Sequence, residues 1–185
     1  LKLPEYRTRY RTRRELRSRD ADVVSIGVKN WVKHLDPKDS GYEHHLLEAL
    51  WVTWGIERID VDLLKQLLKA KDFRARTAAV RALRYNAHAA ADQVEPLLLA
   101  AAADEHAQVR HEALIAGTWL DEELAKKTIA EFEKQDISEW SAQAHEYAVA
   151  NLGGTSVEEH EFTFAKGGVT KDTAKATEIA INCAP

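Results

Sequence analysis

Apolar residues recur along this chain at the spacing of one face of a helix. Over residues 22–35, Val24, Val28, Trp31, Val32 and Leu35 form one stripe. Asp36-Pro37 ends that stripe and Gly41 marks a turn. Residues 42–54 predict a second helix, with Leu46, Leu47, Leu50, Trp51 and Trp54 turned inward. Leu63, Leu64, Leu67 and Leu68 predict a third over 61–70, opened by Asp60. Further helices follow over 73–86, 90–103, 106–118, 121–134 and 138–152, with Asp72, Asp104, Asp121 and Ser138 at the cap positions. Gly153 and Gly154 stop the pattern.

The helices come in pairs, and the pairs repeat. The stretch from Ala75 to Leu83 matches the stretch from Val109 to Gly117, and Arg76 and Arg110 stand 34 residues apart. An earlier copy, Tyr42 to Leu50, lies 33 residues upstream. A repeat of that length built from two helices is the signature of a solenoid, in which each pair buries its apolar ends against its neighbours. Ala79 and Ala113 should therefore occupy equivalent buried places in successive layers. The small side chain lets helices approach closely, and the Arg can bond an Asp or the carbonyls of a neighbouring turn.

Both ends depart from this rhythm. Residues 6–19 are strongly basic, with seven Arg and two Tyr, and read as the last helix of an upstream unit. Residues 155–185 lose the paired pattern: 160–164 alternate like a short strand, and 171–181 suit one more helix. The division is a helical repeat domain over 1–154 and a tail, or the start of a following domain, over 155–185.

Composition agrees with a helical chain. Gly and Pro are scarce, at 8 and 4 residues. The net charge of −4 selects no partner by itself. No apolar run reaches the length of a membrane span, so no insertion is expected. The chain opens on Leu1 and contains no Met, which reads as a piece of a larger protein. One cysteine, Cys183, gives no internal disulfide.

Catalytic signatures are missing. There is no Gly-x-Ser-x-Gly elbow, phosphate-binding loop or dinucleotide fingerprint. His44 and His45 are adjacent and point about 100° apart on a helix. His106 and His111 are five apart, off the spacing of zinc enzymes. Polar faces and turn hydrogen bonds account for all four, and no metal is expected. The five Trp fall on apolar stripes and read mainly as packing between repeats. The Arg of 6–19 read as partners for acidic neighbours, with nucleic-acid binding through phosphate contacts and stacking on Tyr6 and Tyr10 the alternative.

The residues Asp72, Ala75-Arg76, Ala79 and Leu83, and again Asp104, Val109-Arg110 and Ala113, resemble the HEAT family. The resemblance covers about residues 6–152 and implies an all-α fold, a right-handed superhelix of four to five stacked antiparallel pairs. It also implies a non-catalytic scaffold whose partners are protein domains. The second helices would line a concave face carrying Arg76, Arg81, Arg84, Arg110 and Glu112. More narrowly, residues 4–17, 42–51, 72–76 and 104–113 resemble the helical middle of large haem-binding, membrane-bound dehydrogenase-like proteins. Those are exported proteins ordered as a β-propeller, a HEAT region and a c-type cytochrome domain. This resemblance implies a periplasmic or exported spacer, with no cofactor in the chain itself. Cys183 would begin a haem c site only if Cys-His followed Ala184-Pro185 in a parent protein.

Overall fold

The computed structural model describes residues 1–152. It is all-helical there, with no strand among the described residues. The α-helices are α1 (Tyr6–Arg17), α2 (Ala21–Lys33), α3 (Tyr42–Gly55), α4 (Val61–Leu67), α5 (Phe73–Tyr85), α6 (Ala87–Ala90), α7 (Val94–Ala102), α8 (Ala107–Leu120), α9 (Glu122–Phe132) and α10 (Glu139–Leu152). None is long and apolar enough to cross a membrane. The stop at Gly153 and Gly154, the strand at 160–164, the helix at 171–181, the tail division and Cys183 all lie outside the described residues.

Side-chain caps open five of the described helices. The side chains of Asp60, Asp72 and Asp121 accept from the first-turn N–H groups of α4, α5 and α9, satisfying donors that the helix itself leaves open. Asp20 does the same for α2, so that helix starts earlier than the apolar stripe alone suggests. One expected cap is corrected. His106, not Asp104, caps α8, its ring accepting from Gln108 N–H, while Asp104 bonds the backbone of His106 and an arginine of the preceding layer.

The helix expected over 90–103 is also corrected. α5 ends at Tyr85, and the capping Asn86 bonds its side chain back to the Ala82 carbonyl at 2.8 Å. The short α6 and a 3₁₀ turn at Ala91–Gln93 intervene, and α7 begins only at Val94. Ala91 sits at φ 42, a backbone state that breaks helical continuity inside an alanine-rich run.

Neighbouring helices pack in a repeat-like arrangement. α2 lies against α3, α4 against α5, α7 against α8, and α9 against α10. The second helices also meet in succession, α3 on α5, α5 on α8 and α8 on α10, and α1 extends that row by packing on α3. Ala79 and Ala113 are both fully buried, at 0% exposure, in α5 and α8. Leu50, Leu67, Leu83 and Leu98 complete a continuous apolar seam. Leu114, Ile129, Phe132 and Ala148 form a second, smaller cluster around α9 and α10.

Candidate functional site

The arginines expected on an interaction face divide into structural and exposed groups. Arg76 is buried near the start of α5. Its Nη1 donates to the carbonyls of Ala70 (2.8 Å) and Lys71 (3.0 Å), the loop before its own helix. Its Nε and Nη2 fork onto the Asp104 carboxylate of the next layer at 2.8 and 2.9 Å. Arg110 repeats the arrangement. Its Nη1 donates to the carbonyls of Asp104 (2.8 Å) and Glu105 (3.0 Å), and its Nη2 to Asp136 O (2.9 Å) one layer on. One layer earlier, Glu43 of α3 does the same job with opposite polarity, accepting from Lys71 N–H at 2.7 Å and Asp72 N–H at 2.8 Å. These three side chains staple each layer to the loop of the next.

Glu112 is buried too, and Arg81 donates to it through Nε (3.1 Å) and Nη2 (2.7 Å). Arg84 approaches the same carboxylate at 3.8 Å. Of the five, Arg81 alone has a largely exposed side chain, at 57%.

The surface of the second-helix row carries a different set of groups. Trp51, Tyr85 and Trp119 stand 34 residues apart, one per layer near the ends of α3, α5 and α8. Trp54 stacks on Tyr85 with ring centroids 5.4 Å apart, and Tyr85 meets Trp119 edge-on at 6.0 Å. Arg84 lies over Tyr85 at 4.6 Å and over Trp119 at 4.9 Å, and Arg13 lies over Trp51 at 5.0 Å. A groove of about 750 Å³ lies beside the first two layers of this column, lined by Arg17, Trp51, Trp54, Tyr85, Arg58 and Glu57, and Trp119 stands outside it. The expectation that Trp residues are mainly packing is corrected at two positions: Trp119 is 66% exposed and Trp140 is 90% exposed. Trp31, Trp51 and Trp54 are half-buried and lean on the core.

Helix α1 sits at the head of this row. Glu48, whose side chain is fully buried in α3, accepts from Arg9 Nε at 2.9 Å and from Arg13 Nη1. Arg19, just past the helix, pairs with Glu15. Arg7, Arg11, Arg14 and Arg17 are exposed and have no acidic partner among the described residues. The expected pairing of the basic segment with acidic neighbours thus holds for Arg9, Arg13 and Arg19, and among the described residues it is not seen for the other four.

Comparison with protein-family models, with curated proteins and with solved structures finds no match.

The histidines serve the frame. His106 stacks flat on Phe73, centroids 3.6 Å apart, beside its capping bond. Burial pushes His44 below its ordinary value of 6.5, and nearby Arg9 and Arg13 add to this against the opposite pull of Glu48. Burial lowers His45 as well. Among the described residues no three His, Cys, Asp or Glu cluster as a metal site. The aromatic column was readable in principle from the 34-residue spacing of Trp51, Tyr85 and Trp119. Tyr and Trp are different residue types, so the column does not register as a repeated residue, whereas the Ala-Arg stretch repeats the same residues at matching places, Arg76 with Arg110 and Ala79 with Ala113.

Proposed function

We propose that this chain is a HEAT-like scaffold, a non-catalytic protein-interaction module whose second-helix row is its contact face. The observation that carries this reading is the repeated aromatic column. Each layer places one large ring, Trp51, Tyr85 and Trp119, at the same place on the row, with a guanidinium over each. Exposed Trp, Tyr and Arg are the side chains that dominate protein interfaces. The buried ion pairs beneath them fix the spacing, so the face is pre-organised and little ordering accompanies binding. A stacked frame that presents one equivalent position per layer suits an extended partner. The partner belongs to a neighbouring domain of a parent chain or to another protein. The resemblance to the helical middle of haem-binding dehydrogenase-like proteins is compatible with the first of these.

The test is selection from a displayed library of random dodecapeptides against the full chain. Enriched peptides should lose at least about tenfold in affinity to Trp119→Ala, equivalent to about 1.4 kcal/mol. They should bind Trp140→Ala as they bind the parent chain. Failure to enrich any peptide, or enrichment of peptides indifferent to Trp119, removes the reading.

A further inference from the structure

We propose that the second-helix row takes an extended acidic peptide, its carboxylates over α1 and its apolar side chains along Trp51, Tyr85 and Trp119; this rests on the interaction-module reading above.

Charge is distributed unevenly along the row. Residues 1–19 hold eight basic and two acidic side chains, although the whole chain is net acidic at −4. Two of the eight, Arg9 and Arg13, share the single carboxylate of Glu48 and anchor the helix. Arg7, Arg11, Arg14 and Arg17 project from α1 without an acidic partner among the described residues. Arg17 lines the same groove as Trp51, Trp54 and Tyr85, together with one acid, Glu57, so a cation without an acidic partner among the described residues and the first two rings of the column share one surface. Tyr6 and Tyr10 stack on each other at 6.2 Å beside Arg13 and Arg14, and both are exposed. That end of the face fits carboxylates.

The far end does not. Arg81 and Arg84 are engaged by Glu112, and Arg76 and Arg110 point into the frame. Trp119 is followed by exposed Asp121, Glu122 and Glu123. A phosphate backbone carries charge at every nucleotide and would meet these acids along its path. A peptide can hold its charge at one end and its apolar side chains at the other. The observations therefore favour peptide over nucleic acid. Four helices, α1, α3, α5 and α8, span the row in three steps of about 8–10 Å each. At about 3.3 Å per residue, an extended segment of about nine residues covers it.

Fluorescence anisotropy with the full chain tests this. The probes are two capped, labelled dodecapeptides with four Glu at one end and Leu and Pro at the other, in both orders. Controls are the same peptides with Gln for Glu, and a twelve-nucleotide oligo-dT. One acidic peptide should bind at least about tenfold tighter than its Gln counterpart and weaken with salt. The double substitution Arg14→Gln with Arg17→Gln should abolish that preference, Trp119→Ala should weaken both peptides, and Lys126→Gln should change nothing. Equal binding of the Glu and Gln peptides, still sensitive to Trp119, overturns the acidic partner and leaves the interaction module standing. Tighter binding of oligo-dT, or no binding of either acidic peptide, also overturns it, while the library selection independently decides the module.

Discussion

At the residue scale, two positions show how little room the frame leaves. Gly117 lies buried in α8 where it crosses α9, and a Cβ added there would meet Thr128 Oγ1 at 2.7 Å and Thr128 Cβ at 2.8 Å. Thr128 is itself fully buried and bonded to the Leu124 carbonyl, so it cannot swing away. Gly117→Ala should destabilise the chain by about 1–3 kcal/mol in urea unfolding, and Thr128→Ala in the same molecule should recover part of that. An unchanged midpoint would mean that the helices separate freely. Glu57 presents the opposite case. It follows α3 at φ 58, and the bonds Glu57 N–H to Trp54 O and Arg58 N–H to Thr53 O close the helix end in the Schellman pattern. That position favours glycine. Glu57→Gly should raise stability by about 0.5–1 kcal/mol, read as a higher denaturation midpoint, and a lower midpoint would contradict the argument. Arg76 and Arg110 were legible as bonding residues, since an Arg opening a second helix has carbonyls of the preceding loop within reach. Their burial was not legible, because an Arg at the same spacing can equally face solvent.

At the element scale, α1 is the least embedded helix. None of its residues is buried. Its attachment is the pair Arg9 and Arg13 on the buried Glu48, with Arg13 over Trp51. Glu48→Gln removes the charge that both guanidinium groups share. Amide exchange across Tyr6–Arg17 should then accelerate strongly, with α5 and α8 unaffected. Uniform acceleration would show that Glu48 supports the core and not this helix. The same contact predicts a pH response. His44 and His45 have folded values depressed below 6.5, so the unfolded chain binds more protons there as pH falls. Stability should hold above that value and decline from about pH 6.5 downward. His44→Gln should flatten part of the decline in denaturation midpoint; an identical slope would assign it to other groups. Most elements were legible because leucine stripes and Asp caps coincide, as at Asp60 with Leu63 and Leu64. The break between α5 and α7 was not. Ala87, Ala89 and Ala90 have full helix propensity, and no local pattern announces the turn at Ala91.

At the scale of the whole molecule, each layer touches its neighbours and the core divides in two. The long seam runs from Val24 through Leu83 to Leu124 at the start of α9, whereas Leu114, Ile129, Phe132 and Ala148 form their own cluster. The 34-residue repeat made the layered stack legible, because only stacking buries Ala79 and Ala113 at matching positions. The division of the core was beyond its reach: Ala113 and Leu114 are neighbours in α8 yet fall in different clusters, and no residue spacing encodes that. In a linear stack, stability is close to a sum of layers and nearest-neighbour interfaces, so a local defect spreads only as far as its interface is strong. Leu83 sits at the centre of the long seam at 0% exposure. Leu83→Ala should cost about 2–5 kcal/mol and reduce amide protection in α3, α5 and α8 together. Phe132, 1% exposed, belongs to the smaller cluster. Phe132→Ala should cost about 3–5 kcal/mol locally, and it should open α9 and α10 while α3 and α5 keep their protection. Urea unfolding of that variant followed by Trp fluorescence should then show two steps in place of one. If both variants lose protection everywhere in a single transition, the two clusters act as one core.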